Sequence, residues 1–139
     1  MIAVFFFYNK CDTSFHRILS FSKHFRHVNL LMYDGDMSYF IQSGKHGLDI
    51  RAYNCDDIVS TINNFRLHKN CSAVVSTSIS KRRNISNFPF GGIVCNEVCR
   101  YVSGIDIGLT LNPKHLYNKL LSKNKSNKNF DILYTWRKK

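Results

Sequence analysis

A cysteine, a histidine and a side-chain amide, far apart in the chain, are the residues whose types could carry covalent chemistry. In GGIVCNEVCR, residues 91–100, Gly91 and Gly92 precede Cys95 at the expected start of a helix. The two glycines leave room for a ligand to approach the backbone. A thiol in the first helical turn feels the positive end of the helix dipole, which lowers its pKa and favours the thiolate. Unpaired N–H groups at that turn could also hold an oxyanion. A neighbouring imidazole would complete a thiolate–imidazolium pair, and a polar third residue would orient the ring. His27 and Gln42 fit those two roles.

The elements around His27 and Gln42 decide whether they can meet. RHVNLLMY (26–33) and SYFIQS (38–43) are strand-like and flank Asp34-Gly35, a strong short-range hairpin signal. A two-residue Asp34-Gly35 loop pairs Tyr33 with Asp36. The same register sets Leu31 opposite Ser38, Asn29 opposite Phe40 and His27 opposite Gln42. Directly opposed residues share a sheet face, so Gln42 would stand beside the imidazole. A three-residue loop would instead send the two side chains to opposite faces.

Elsewhere the pattern is mixed. IAVFFFY (2–8) is a continuous apolar run suited to a buried strand, and TSFHRILSFSKHF (13–25) has a cap and apolar spacing for a short helix. GLDIRAY (47–53) reads as a third strand of a meander. CDDIVSTINNFRLH (55–68) sets Ile58, Ile62 and Phe65 on one helical face, and SAVVSTSI (72–79) is rich in strand formers. SKRRNISNFPF (80–90) is a basic loop. A helix over 94–103 ends at Gly104, and another, about 113–122, begins with Pro113. KNKSNKN (123–129) reads as a polar connector and FDILYTW (130–136) as a last edge strand. This order predicts a single α+β domain over 1–139, with helices on one side of an antiparallel sheet and a basic C-terminal end at about 123–139.

Composition narrows the partners. The chain has 139 residues, 44% hydrophobic, with a formal charge of +11, which favours anionic partners such as nucleic acid, acidic polymers or a negative protein surface. No zinc-finger spacing, RNA-recognition signature or trusted helix-turn-helix pattern accompanies that charge. The N-terminal MIAVFFFYNK lacks the features of a secretory leader and is too short to span a bilayer. Five cysteines, an odd number, then predict reduced thiols and a cytoplasmic setting. Cys11, Cys55, Cys71 and Cys99 read as packed apolar residues. A zinc site from Cys95, Cys99 and His27 is disfavoured, because C-x-x-x-C within one helix is not a knuckle and no second pair accompanies it.

FRHVNLLMYDGDMSYFIQSGKHGLDI, then CNEVCRYVSGI and NPKHLYNKLL, together resemble the small phage-encoded, circularly permuted papain-like proteins. Those are relatives of NlpC-type cysteine peptidases and of lecithin retinol acyltransferase-like enzymes. The likeness spans about residues 25–121. In that family a His opens the first hairpin strand, a polar residue lies on the next, and the Cys comes last, opening a helix that a Gly-Ile pair ends. Gly104-Ile105 matches that pair, and Asn112-Pro113 stands where the family more often has Thr-Pro.

The resemblance implies a permuted papain-like fold with Cys95 as nucleophile, His27 as general base and acid, and Gln42 as the orienting residue. The implied reaction is attack on an amide, ester or thioester carbonyl, with peptide or cell-wall-type amides as substrates and no cofactor or metal. Two other readings stay open. One is a catalytically silent structural or protein-docking component of a virus particle, binding virion proteins or an anionic polymer through its basic surface. The other is a basic nucleic-acid-associated protein. Their implied locations are the host cytoplasm or the virion.

Overall fold

The structure, a computed structural model, describes residues 1–10, 22–44, 47–54, 58–79, 95–126 and 130–135. The strands are β1 (Ile2–Tyr8), β2 (His27–Tyr33), β3 (Met37–Gly44), β4 (Gly47–Asn54), β5 (Cys71–Ser78) and β6 (Phe130–Thr135). The helices are α1 (Ile58–Arg66), α2 (Cys95–Ser103) and α3 (Pro113–Ser126). Among the described residues the strands form one six-stranded sheet in the order β4-β3-β2-β1-β5-β6, with every pairing antiparallel. The fold class is α+β.

β1 lies between β2 and β5 and is apolar on both faces. Ala3, Phe5 and Phe7 point to one side, where they pack with Val28, Leu30, Met32, Ile41 and Val75. α2 and α3 cover that side through Val98, Cys99, Leu116, Tyr117 and Leu120. Val4, Phe6 and Tyr8 point the other way and cluster with Leu31, Phe40, Cys71 and Val74. There α1 supplies the cover through Ile58, Ile62 and Phe65, with the Phe65 ring stacked on Phe40 at 4.4 Å between centroids. The expectation of helices on one side is therefore corrected: they pack on both. An uninterrupted run such as IAVFFFY requires this, because a strand with no polar face must be covered twice.

The hairpin register also differs from the expected one. Tyr33 pairs with Ser38, Met32 with Tyr39, Leu31 with Phe40 and Leu30 with Ile41. The loop still has two central residues, but they are Gly35 and Asp36, closed by the Asp34 N–H donating to the Met37 carbonyl at 3.3 Å. Gly35 has a φ of 123°, a positive value that glycine adopts without a Cβ clash. The Asp34 carboxylate accepts from the Met37 N–H at 3.2 Å, so Asp34 closes the turn from outside.

The helix boundaries follow local chemistry. Gly104 adopts the left-handed conformation (φ 67°) that ends α2. Asn112 caps α3, its side-chain oxygen accepting from the His115 N–H at 2.9 Å. α3 continues to Ser126, beyond the expected end, and takes in the first part of the polar connector. Most of the helix expected at 13–25 and all of the 80–90 loop lie outside the described residues. No helix among the described residues is long and apolar enough to cross a membrane.

Phe7 holds the α3 layer to the sheet, its ring edge-on to both Phe25 (5.7 Å) and Tyr117 (5.4 Å). Phe7→Ala should cost about 3–5 kcal/mol of stability, read from the shift in a urea denaturation curve. The exposed Val59→Ala on α1 should stay within about 0.5 kcal/mol in the same assay.

Candidate functional site

Strand alternation settles where the two expected catalytic side chains sit. Along β2, Val28, Leu30 and Met32 belong to the α2–α3 core, whereas Leu31 belongs to the α1 core. His27 therefore shares the α1 face with Asn29 and Leu31. Its position opposite Tyr8, itself in the α1 core, agrees. Cys95 belongs to the α2–α3 core and is 2% exposed. The sheet lies between the sulfur and the imidazole.

Gln42 shares a face with His27 but does not orient it. Continuing the observed register sets Asn29, not His27, level with Gln42. The Gln42 amide instead donates to Asp49 Oδ2 at 2.9 Å on β4. The partner sequence reasoning missed is Asn29, whose Oδ1 lies 2.7 Å from His27 Nε2. A residue two positions along the same strand is a same-face neighbour wherever the hairpin slides, and that was the available signal. Expecting the orienting residue across the hairpin concealed it.

Around His27 the α1 face carries a small polar group at the end of β1. The Tyr8 ring lies 6.4 Å from the His27 ring and 5.9 Å from that of His68. Burial drives the Tyr8 hydroxyl well above its ordinary pKa, nearby Cys71 adds to the rise, and a hydrogen bond with Asn29 opposes it. Cys71, paired with Tyr8 across the strands, has its thiol pushed up to about 11 by burial. A neutral phenol and a neutral thiol are the species this environment favours. No group of three or more His, Cys, Asp or Glu side chains among the described residues could hold a metal ion.

On the other face, α2 carries polar side chains that are nevertheless sunk into the fold. Asn96, Glu97, Arg100 and Ser103 are buried together with Cys95, Val98 and Cys99. Glu97 and Arg100 form an ion pair one turn apart, Nη2 to Oε2 at 2.7 Å, with Arg100 Nε also donating at 3.0 Å. Thr110, from the segment between α2 and α3, donates its N–H to Glu97 Oε1 at 2.7 Å, and its hydroxyl donates to the same oxygen. Asn96 Nδ2 then donates to the Thr110 hydroxyl at 3.0 Å and to the Thr110 carbonyl at 2.7 Å. This network locks the 104–112 segment against α2. The Glu97–Arg100 spacing was legible in the sequence, but Thr110 could be found only once the chain had folded back.

The thiols beside this network are poorly placed for nucleophilic work. Cys99 is 1% exposed, with its Sγ 3.7 Å from the Val28 carbonyl. Burial raises its pKa well above the ordinary value, and neighbouring Cys95 adds to the effect. The described part of α2 opens at Cys95; Gly91-Gly92, the expected approach to it, lies outside the described residues. No protein-family model, curated protein or solved structure matches the chain.

Glu97 makes the acid stability of the fold measurable. Burial alone raises its pKa, but the hydrogen bonds from Arg100 and Thr110 and the Arg100 charge outweigh that, so the carboxyl titrates below the ordinary glutamate range. Its contribution to stability is complete above that range and is lost as pH falls through the lower, folded value. Glu97→Gln should therefore flatten the acid limb of a stability–pH curve. Arg100→Met should cost about 3–5 kcal/mol by leaving a buried carboxylate without its counter-charge. The Glu97→Gln/Arg100→Met double substitution should recover part of that loss in chemical denaturation.

Proposed function

We propose that this chain is a non-catalytic structural or protein-docking domain, built on the permuted papain-like plan that its motif order resembles. The observation supporting this is the separation of Cys95 from His27 by the sheet, with the thiol enclosed in an apolar core. A thiolate–imidazolium pair needs the two groups within hydrogen-bond reach.

The cationic surface fits a docking role better than a nucleic-acid reader. Three lysines of α3 are engaged within the fold. Lys119 Nζ donates to the Leu109 carbonyl and Lys123 Nζ to the Asp106 carbonyl, each at 2.6 Å. Lys114 Nζ lies 4.3 Å from the Phe25 ring centroid and 4.9 Å from that of Tyr117. These contacts use the charges to fasten α3 and the 104–112 segment, leaving fewer to track a phosphate backbone.

Thiol labelling separates this reading from a cysteine hydrolase. With iodoacetamide near neutral pH, Cys95 should react at least about tenfold more slowly in the folded chain than in urea, with His27→Ala leaving the folded rate unchanged. Selective, fast labelling of Cys95 that His27→Ala suppresses would overturn the proposal. The nucleic-acid reading predicts binding that weakens steeply between low and moderate salt, measurable by fluorescence anisotropy with labelled single- and double-stranded oligonucleotides.

A further inference from the structure

β4 forms one edge of the sheet, with no strand beyond it among the described residues. Leu48, Ile50, Arg51, Ala52, Tyr53 and Asn54 are exposed, Ile50 at 55%. Natural edge strands are commonly short, bulged or guarded by lysine, because a free row of N–H and C=O groups is a template for another strand. β4 spans eight residues, pairs with β3 without a register shift, and contains neither lysine nor proline.

Its sequence, GLDIRAYN, is complementary to itself in the register centred on Ile50. In an antiparallel edge every second residue points its backbone groups outward, so two copies related by a two-fold axis must oppose odd positions with odd and even with even. A pair centred on Asp49 or on Arg51 would set like charges directly against each other. Centred on Ile50, the strand opposes Asp49 to Arg51 twice, Ile50 to Ile50, Leu48 to Ala52 and Gly47 to Tyr53. A large side chain meets a small one, or each charge its opposite, at every pair flanking the centre. Asp49 and Arg51 already bond within one strand at 2.9 Å, so both are extended on the same face and ready to exchange partners.

The face geometry agrees. Leu48, Ile50 and Ala52 oppose Ser43, Ile41 and Tyr39 on β3 and share the α2 side of the sheet. Ile50 also lines an apolar groove of about 270 Å³ with Met1, Met32, Tyr39, Ile41 and Val102. A two-fold axis perpendicular to the sheet keeps like faces together, so Leu48 of a second copy would stand over Ala52 beside Tyr39, at the open side of that groove. We infer that β4 is a self-association edge, pairing antiparallel with β4 of a second copy of this chain in the register centred on Ile50. The inference stands on β4 alone and does not depend on whether Cys95 is catalytic.

Sedimentation velocity on the full chain tests it, with Asp49→Arg, Arg51→Asp and the double exchange. The unmodified chain should show a concentration-dependent monomer–dimer equilibrium. Each single substitution should weaken dimerisation by about tenfold or more, and the double exchange should restore it to within about threefold. A chain that stays monomeric up to about 200 µM overturns the inference, since a strand-edge interface of this size belongs to the weak class and should be populated there. A dimer indifferent to the single substitutions, or one that the double exchange fails to restore while circular dichroism reports an intact fold, overturns it equally. Ile50→Cys supplies an independent readout: mild oxidation should join the two introduced thiols across the axis, and peptide mapping that finds no such cross-link counts against the register.

Discussion

One central strand that is apolar on both faces constrains everything else in this molecule. Because β1 offers no polar side, each face of the sheet needs its own helical cover, and the molecule acquires two separate cores. Every side chain on a neighbouring strand is then assigned to one core or the other by its parity. The assignment is strict, since moving a residue to the other face means sliding a whole strand by one position and exposing a row of phenylalanines and leucines. His27 and Cys95 are separated by this constraint and not by any local feature of either residue.

The contrast between β1 and β2 shows what sequence pattern could reveal. The uninterrupted run IAVFFFY identified a buried strand but did not count how many helical layers would cover it. In α1, Ile58, Ile62 and Phe65 were legible as one face from helical spacing, and the structure turns that face to the sheet. In the hairpin, the Asp34-Gly35 signal points to a loop one residue earlier than the one observed. Asp34-Gly35 is a favoured pair for a type I′ turn, yet Gly35 takes the first central position and Asp34 closes the turn through its carboxylate. Both readings have two-residue loops, so loop length alone could not choose between them. Packing chooses, because the observed register stacks Leu31 beside Phe40 under α1, where the other would have set a serine there.

α2 illustrates a different limit. Its sequence, CNEVCRYVS, sets Asn96, Glu97, Arg100 and Ser103 among apolar residues, and such polar side chains would ordinarily be placed at a surface. Two of its buried polar side chains are tied into one network, Glu97 holding Arg100 on one side and Thr110 on the other. A buried ion pair is weak evidence for stability, since an apolar replacement often does as well, but it is demanding about geometry. Here that demand fixes the path of residues 104–112 and hence the position of α3. The residues that first suggested chemistry in this segment thus lie within a structural device, and the same Gly-capped, Asn-Pro-initiated helix pair would be needed whether or not the thiol reacted.

Net charge bears on how such a domain meets its partners. At +11, two copies repel each other at long range, so only a locally balanced surface lets them approach closely. Gly47–Asn54 is such a place: one aspartate and one arginine, no lysine, and apolar side chains on the face shared with the groove. Lys114, Lys119 and Lys123 of α3 are drawn to carbonyls and aromatic rings. Charge that would oppose association is thereby used to hold the helical layer in place, while the sheet edge farthest from β5 and β6 is left neutral and extended. The parity that sends Cys95 and His27 to opposite faces of the sheet goes with two cores, and β4 contributes to neither.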